Sequence, residues 1–251
     1  MIELAYANLL TGGNIMELNM KSFKRDLLLG APGALLMTAG DLSLSLIAPN
    51  NTDSGLYARE AYMNGSYELW RPVFLLITGI LGMFFYYFGV RAMHYMIKPE
   101  CKKLRFLIKY GGLGYICSGA ALHFFVGSLS YWVAALTPEF GRETALRIVD
   151  SYYDRFIGGE YLLYIPIAAL MLGSFAAVVT GRTALPKKMA VFHALTWQII
   201  LVSIPHIRML FSPDIITADY AFSQSSGNAA AVIMFIACFI WAVKSEEKPH
   251  K

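Results

Sequence analysis

Three residues of this chain combine acid–base or metal chemistry with an unusual setting. Asp41, His123 and His206 each lie within a long apolar stretch. An ionisable side chain in such a stretch is costly to place in lipid and normally turns toward a cavity or another polar group. Two imidazoles and a carboxylate can hold a divalent metal such as zinc, with a position left for a water whose pKa then falls toward neutrality. Without metal, a histidine beside an aspartate can act as general base toward a water or a hydroxyl.

A second set surrounds the first. Glu68, Arg71, Glu160 and Arg208 stand at the ends of apolar stretches. Either arginine can grip a phosphate or carboxylate head group through its two-pronged guanidinium. Taken as one constellation, Asp41, His123 and His206 would be the catalytic or metal-binding core, and Glu68, Arg71, Glu160 and Arg208 the substrate-binding surround. The substrate would be a lipid or another amphipathic molecule, and the reaction hydrolase-like.

Structural roles compete with each of these assignments. Asp41 can hydrogen-bond between helices, with Ser45 one turn on. Glu68 and Glu160 fit the first turn of a helix, where the dipole favours an acid. Arg208 can snorkel to the interface. His94 and His193 fall near the opposite interface and fit structural positions. The glycine tracts Gly111-Gly112-x-Gly114 and Gly30-x-x-Gly33 follow no strand. They suit close helix packing rather than a phosphate loop.

The elements that position these groups must be membrane helices. Of 251 residues, 57% are hydrophobic and 15% charged, against about 25% charged in an ordinary soluble domain. Six stretches reach the ~20 apolar residues that cross a bilayer: 27–48, 71–97, 105–135, 161–181, 189–211 and 226–243. The expected fold is an all-α bundle of six transmembrane helices. A leader of residues 1–26 precedes it and a tail of 244–251 follows. Two readings of the leader fit: native translation from Met16 or Met20, or a short interfacial amphipathic segment.

Basic residues set the orientation. Lys21, Lys24 and Arg25 precede the first span, Lys98, Lys102 and Lys103 sit between the second and third, and Arg182, Lys187 and Lys188 between the fourth and fifth. Lys244, Lys248 and Lys251 close the chain, whereas the other three connections hold no lysine. Both termini are therefore expected in the cytoplasm, in a bacterial plasma membrane. The net charge of +4 follows this segregation and points to the bilayer, not to nucleic acid.

At 1.5 Å per residue, His123 lies roughly 27 Å beyond Arg105, His206 about 26 Å beyond Met189 and Asp41 about 24 Å beyond Arg25. All three fall in the outer part of the membrane and are expected to converge on one outward cavity. In 138–157, Phe140, Leu146, Val149, Tyr153 and Phe156 recur at helical spacing, which predicts a helix lying in the outer interface. The second-to-third and fourth-to-fifth spans carry a weak echo of each other, each pair ending in a late histidine. Three functions fit: an outward-facing membrane enzyme, a small transporter or ligand-binding sensor using the same cavity, and a structural or assembly protein.

Overall fold

The computed structural model describes residues 19–47, 60–211 and 217–246, with the backbone alone for Ile157, Glu160, Met209 and 217–222. The described residues are almost entirely helical. The helices are α1 (Met20–Ser45), the short α2 (Glu60–Met63), α3 (Trp70–Met96), α4 (Lys102–Phe140), α5 (Arg142–Val179), α6 (Ala194–Met209) and α7 (Thr217–Glu246). A 3₁₀ segment, Lys187–Phe192, precedes α6. Five helical segments are long and apolar enough to cross a membrane: α1, α3, α4, residues Tyr161–Val179 of α5 and Ser223–Glu246 of α7.

Several boundaries differ from the sequence reading. Helix α1 starts at Met20 rather than at 27, because the Asn19 side chain accepts the Ser22 amide at 3.0 Å and caps it. The expected span 189–211 is divided. The 3₁₀ segment turns into α6 at His193, whose Nδ1 accepts the Leu195 amide at 3.1 Å. The resulting α6 has 16 residues, about 24 Å of helix.

The segment 138–157 is helical, but it does not form a separate interfacial helix. Its first residues finish α4, Gly141 turns the chain with φ +77°, and the rest opens α5. Phe125 packs on Tyr152 and Tyr153, with ring centroids 5.8 and 6.1 Å apart. Lower down, a Cβ added to Gly111 would sit 3.6 Å from the Leu170 amide, and one on Gly173 would sit 2.9 Å from Leu107. The two helices thus pair antiparallel in one continuous register. With 39 and 38 residues they run to roughly 57 Å each, well beyond the ~30 Å hydrocarbon slab. Leu146, Val149 and Tyr153 of the amphipathic pattern therefore face a second apolar core, while Phe140 and Phe156 stay exposed. That core holds Leu44, Tyr62, Tyr67, Leu129, Val133 and Val149. Arg142 on α5 clamps it from outside by pairing with Glu60 on α2 at 2.9 Å.

The long helices form a ring in the order α5, α4, α3, α1, α7, α6. Every neighbouring pair packs extensively except α5 and α6, which barely touch. Glycine permits the closest crossings. A Cβ on Gly33 would lie 2.4 Å from the Tyr86 amide and one on Gly30 would lie 2.6 Å from Gly89, so α1 and α3 meet backbone to backbone.

One end of the ring is tied together by polar contacts. The α3–α4 and α5–α6 connections pair through Lys98 N–H to Arg182 C=O at 3.0 Å and Ala184 N–H to Met96 C=O at 2.8 Å. Lys24 of α1 meets Glu246 of α7. Arg91 of α3 meets the buried Asp26 of α1. The start of α1 and the end of α7 thus share one end of the bundle with the two lysine-rich connections.

Candidate functional site

The polar groups of the opposite end gather around Asp41. This residue lies in the last turn of α1, 15 residues beyond Asp26, about 22 Å along the helix. Its Oδ1 is 3.1 Å from His123 Nε2 on α4, and its Oδ2 accepts from Asn228 Nδ2 on α7 at 2.7 Å. His123 Nδ1 is 2.8 Å from the Gly119 carbonyl one turn back. Asp41 and His123 side chains are only 16% and 11% exposed.

The hydrogen-bond inventory fixes the proton content of this set. The Gly119 oxygen can only accept, so His123 Nδ1 carries a proton. The remaining nitrogen then faces a carboxylate oxygen. That contact is attractive only if one further proton lies between them, either on Nε2 as imidazolium or on Asp41 as the neutral acid. Asp41 and His123 therefore share one proton beyond the one on Nδ1, and the pair carries no net charge.

Packing holds the histidine in place. Gly79 of α3 lies directly behind it, and a Cβ there would sit 2.7 Å from His123 Cβ and 2.9 Å from Cγ. Ser45 does not bond the carboxylate. Its hydroxyl donates to the Asp41 backbone carbonyl at 2.6 Å, which leaves both carboxylate oxygens for His123 and Asn228.

The set opens on a central cavity of about 400 Å³ enclosed by all six long helices. Met37, Met83, Leu122 and Met171 supply apolar wall, Tyr62, Tyr86, Tyr115 and Tyr164 supply phenols, and Gln198, Ser223, Ser226 and Asn228 supply neutral polar groups. The Tyr86 and Tyr115 rings lie 5.0 Å apart on adjacent helices. Among the described residues, Asp41 is the sole carboxylate in the lining, and neither lysine nor arginine lines it.

The sequence-derived residues thus divide. Asp41 and His123 come together. His206 does not join them, contrary to the expected convergence. It is exposed, its Nδ1 lies 2.9 Å from the Val202 carbonyl, and it is absent from the cavity lining. Equal height fixed the level but not the rotation about the α6 axis. No cluster of three His, Cys, Asp or Glu side chains suited to a metal occurs among the described residues.

Glu68, Arg71 and Arg208 do not line the cavity either. Arg71 binds Glu68 Oε2 at 2.9 Å and donates to the Ser43 and Leu46 carbonyls at 3.0 and 3.3 Å. It thereby closes the C-terminal end of α1, a helix-capping duty rather than a head-group clamp. The side chain of Glu160 lies outside the described residues. Asn228 is one polar residue near the start of an apolar span, and nothing in the sequence marks it as a partner of Asp41. The sequence does not mark Tyr86, Tyr115 or Gln198 as cavity residues, since a tyrosine or glutamine in an apolar run gives no sign of which way it faces. His193, expected to be structural, caps α6 and meets Ser174 Oγ at 3.0 Å.

The chain belongs to the family of unknown function DUF6796, whose model matches residues 17–245. No curated protein and no solved structure matches it.

Proposed function

We propose that this protein is a six-span membrane protein that binds a small amphipathic molecule in the cavity at Asp41, His123 and Asn228. The single observation behind this reading is the cavity itself: about 400 Å³, apolar over most of its wall, with its charged chemistry concentrated at one carboxylate. That volume and that mixture suit a small-molecule site. The narrow contact between α5 and α6 gives a ligand dissolved in the bilayer a side entrance, since Tyr164, Ile167 and Met171 of α5 and Gln198 and Val202 of α6 border the cavity on either side of it.

Binding, for transport or sensing, is favoured over hydrolysis by the hydrogen bonds of the dyad. Both ring nitrogens of His123 and both carboxylate oxygens of Asp41 already have partners. A general base needs a free nitrogen within reach of the proton it removes. The sixth crossing in this reading is made by Lys187–Phe192 together with α6. The lysine-rich end faces the cytoplasm of a bacterial plasma membrane, and the cavity end faces outward.

The test is a thermal-stability screen of the purified protein in lipid nanodiscs against small amphipathic molecules, with Asp41→Asn as the control. A ligand whose stabilisation disappears in D41N supports the reading. Stabilisation that is equal in both proteins, or absent for every compound class, overturns it.

A further inference from the structure

We infer that the ligand is an organic cation, an amine or quaternary ammonium with an apolar body, and that it enters the cavity in exchange for one proton. This rests on the binding reading above and names its ligand class.

Charge and ring content select the class. Among the described residues the lining contains one carboxylate, four phenols and no lysine or arginine. An anionic head group would meet Asp41 with no cation to balance it, whereas an ammonium finds a carboxylate and the faces of tyrosine rings. The arginines that could have served an anion are elsewhere. Arg71 is committed to the end of α1 and Arg208 lies outside the lining.

The proton follows from the hydrogen-bond count. With Nδ1 committed to Gly119 C=O, the unliganded dyad holds one shared proton and is neutral. A cation added to it would place a net positive charge in a region of low dielectric, which is costly. If the shared proton leaves to water as the cation arrives, Asp41 carboxylate pairs with the cation, His123 becomes neutral and the net charge stays at zero. No bond other than N–H or O–H is broken. Among the described residues, the other titratable groups that line the cavity are phenols: Tyr62 from α2, Tyr86 from α3, Tyr115 from α4 and Tyr164 from α5. Among the described side chains, helices α6 and α7 present only the neutral Gln198, Ser223, Gln224, Ser226 and Asn228 as polar lining residues. The exchangeable proton therefore belongs to Asp41 and His123.

The experiment uses the full chain in nanodiscs and three probes of similar shape: benzyltrimethylammonium, its uncharged carbon isostere neopentylbenzene, and phenylmethanesulfonate. Partition into empty nanodiscs is subtracted. A quaternary ammonium has no proton to give, so any proton released comes from the protein. Calorimetry near neutral pH in two buffers of different ionisation enthalpy counts it. The expected result is cation binding at least roughly tenfold tighter than the isostere, in line with a desolvated cation–ring and carboxylate contact, with about one proton released per cation. D41N should lose the preference for charge. Tighter binding of the isostere or the sulfonate, or cation binding without proton release, would overturn the ligand class while leaving a binding cavity. Failure of all three to bind would overturn the binding reading and this inference together. The proton count on the unmodified protein decides the matter even if D41N does not fold.

Discussion

Arg91 grips Asp26 with two nitrogens, Nε to Oδ2 and Nη2 to Oδ1, both at 2.6 Å. The pair joins α3 to the start of α1, and the Asp26 carboxylate is fully buried. Arg25 adds a longer contact to Oδ1 at 3.2 Å. Two parallel charge-assisted bonds of this kind are directional as well as strong. Removing the arginine leaves a buried carboxylate with only the weaker Arg25 contact. Arg91→Met should therefore destabilise the protein by about 3–5 kcal/mol. The double variant Asp26→Leu/Arg91→Met should recover much of that loss, because neither charge then remains. Thermal unfolding in detergent checks both, and equal loss in the two variants would contradict it.

Gly79 supports the site through packing. A methyl group there would overlap His123 Cβ and Cγ, and the histidine would have to move away from Asp41. Gly79→Ala should cost about 1–3 kcal/mol as overpacking and should weaken binding of the cationic probe. By contrast, a Cβ at Gly158 or Gly159 meets nothing within 4 Å. Alanine at either position should be neutral or stabilise α5 by roughly 0.5–1 kcal/mol. Unfolding midpoints together with probe affinity separate these cases, and unchanged affinity in G79A would count against the positioning role.

His206 and His123 should respond differently to the same substitution. His206→Ala removes an exposed ring whose Nδ1 bonds only its own helix. Stability should change by no more than about 0.5 kcal/mol, with probe binding unaffected. His123→Ala removes the partner of a nearly buried carboxylate and should lose proton release on cation binding. Calorimetry of the two variants side by side tests this; equal effects would argue for a shared site.

The orientation is checked by cysteine substitution at Lys102, Lys187 and Arg147 and a membrane-impermeant thiol reagent. Intact cells should label position 147 and spare 102 and 187. Position 147 should also label as a group standing clear of the bilayer, because α4 and α5 continue past the hydrocarbon as a paired hairpin. Labelling of 102 in intact cells with protection of 147 would reverse the assignment.

The sequence alone determined that the chain is a helical membrane protein, and it located most helix ends. The reason is that length, hydropathy and charge segregation act locally along the chain. The expected 71–97 became Trp70–Met96 almost unchanged. It also placed Asp41 and His123 at one height, since rise per residue is a constant of the helix. What it could not supply was rotation and partnership. Whether His206 faced Asp41 or turned away depended on how α6 sits in the ring, and that is set by contacts distant in sequence. The same holds for 138–157. Its amphipathic spacing is real, but an apolar stripe does not say whether it will meet headgroups or another helix. The α4–α5 pairing answered that, because Phe125 offered Tyr152 and Tyr153 a protein surface on which to pack. Asn228 became part of the site for the same reason: only the packing of α7 against α1 brought its amide within 2.7 Å of a carboxylate 187 residues away in the chain.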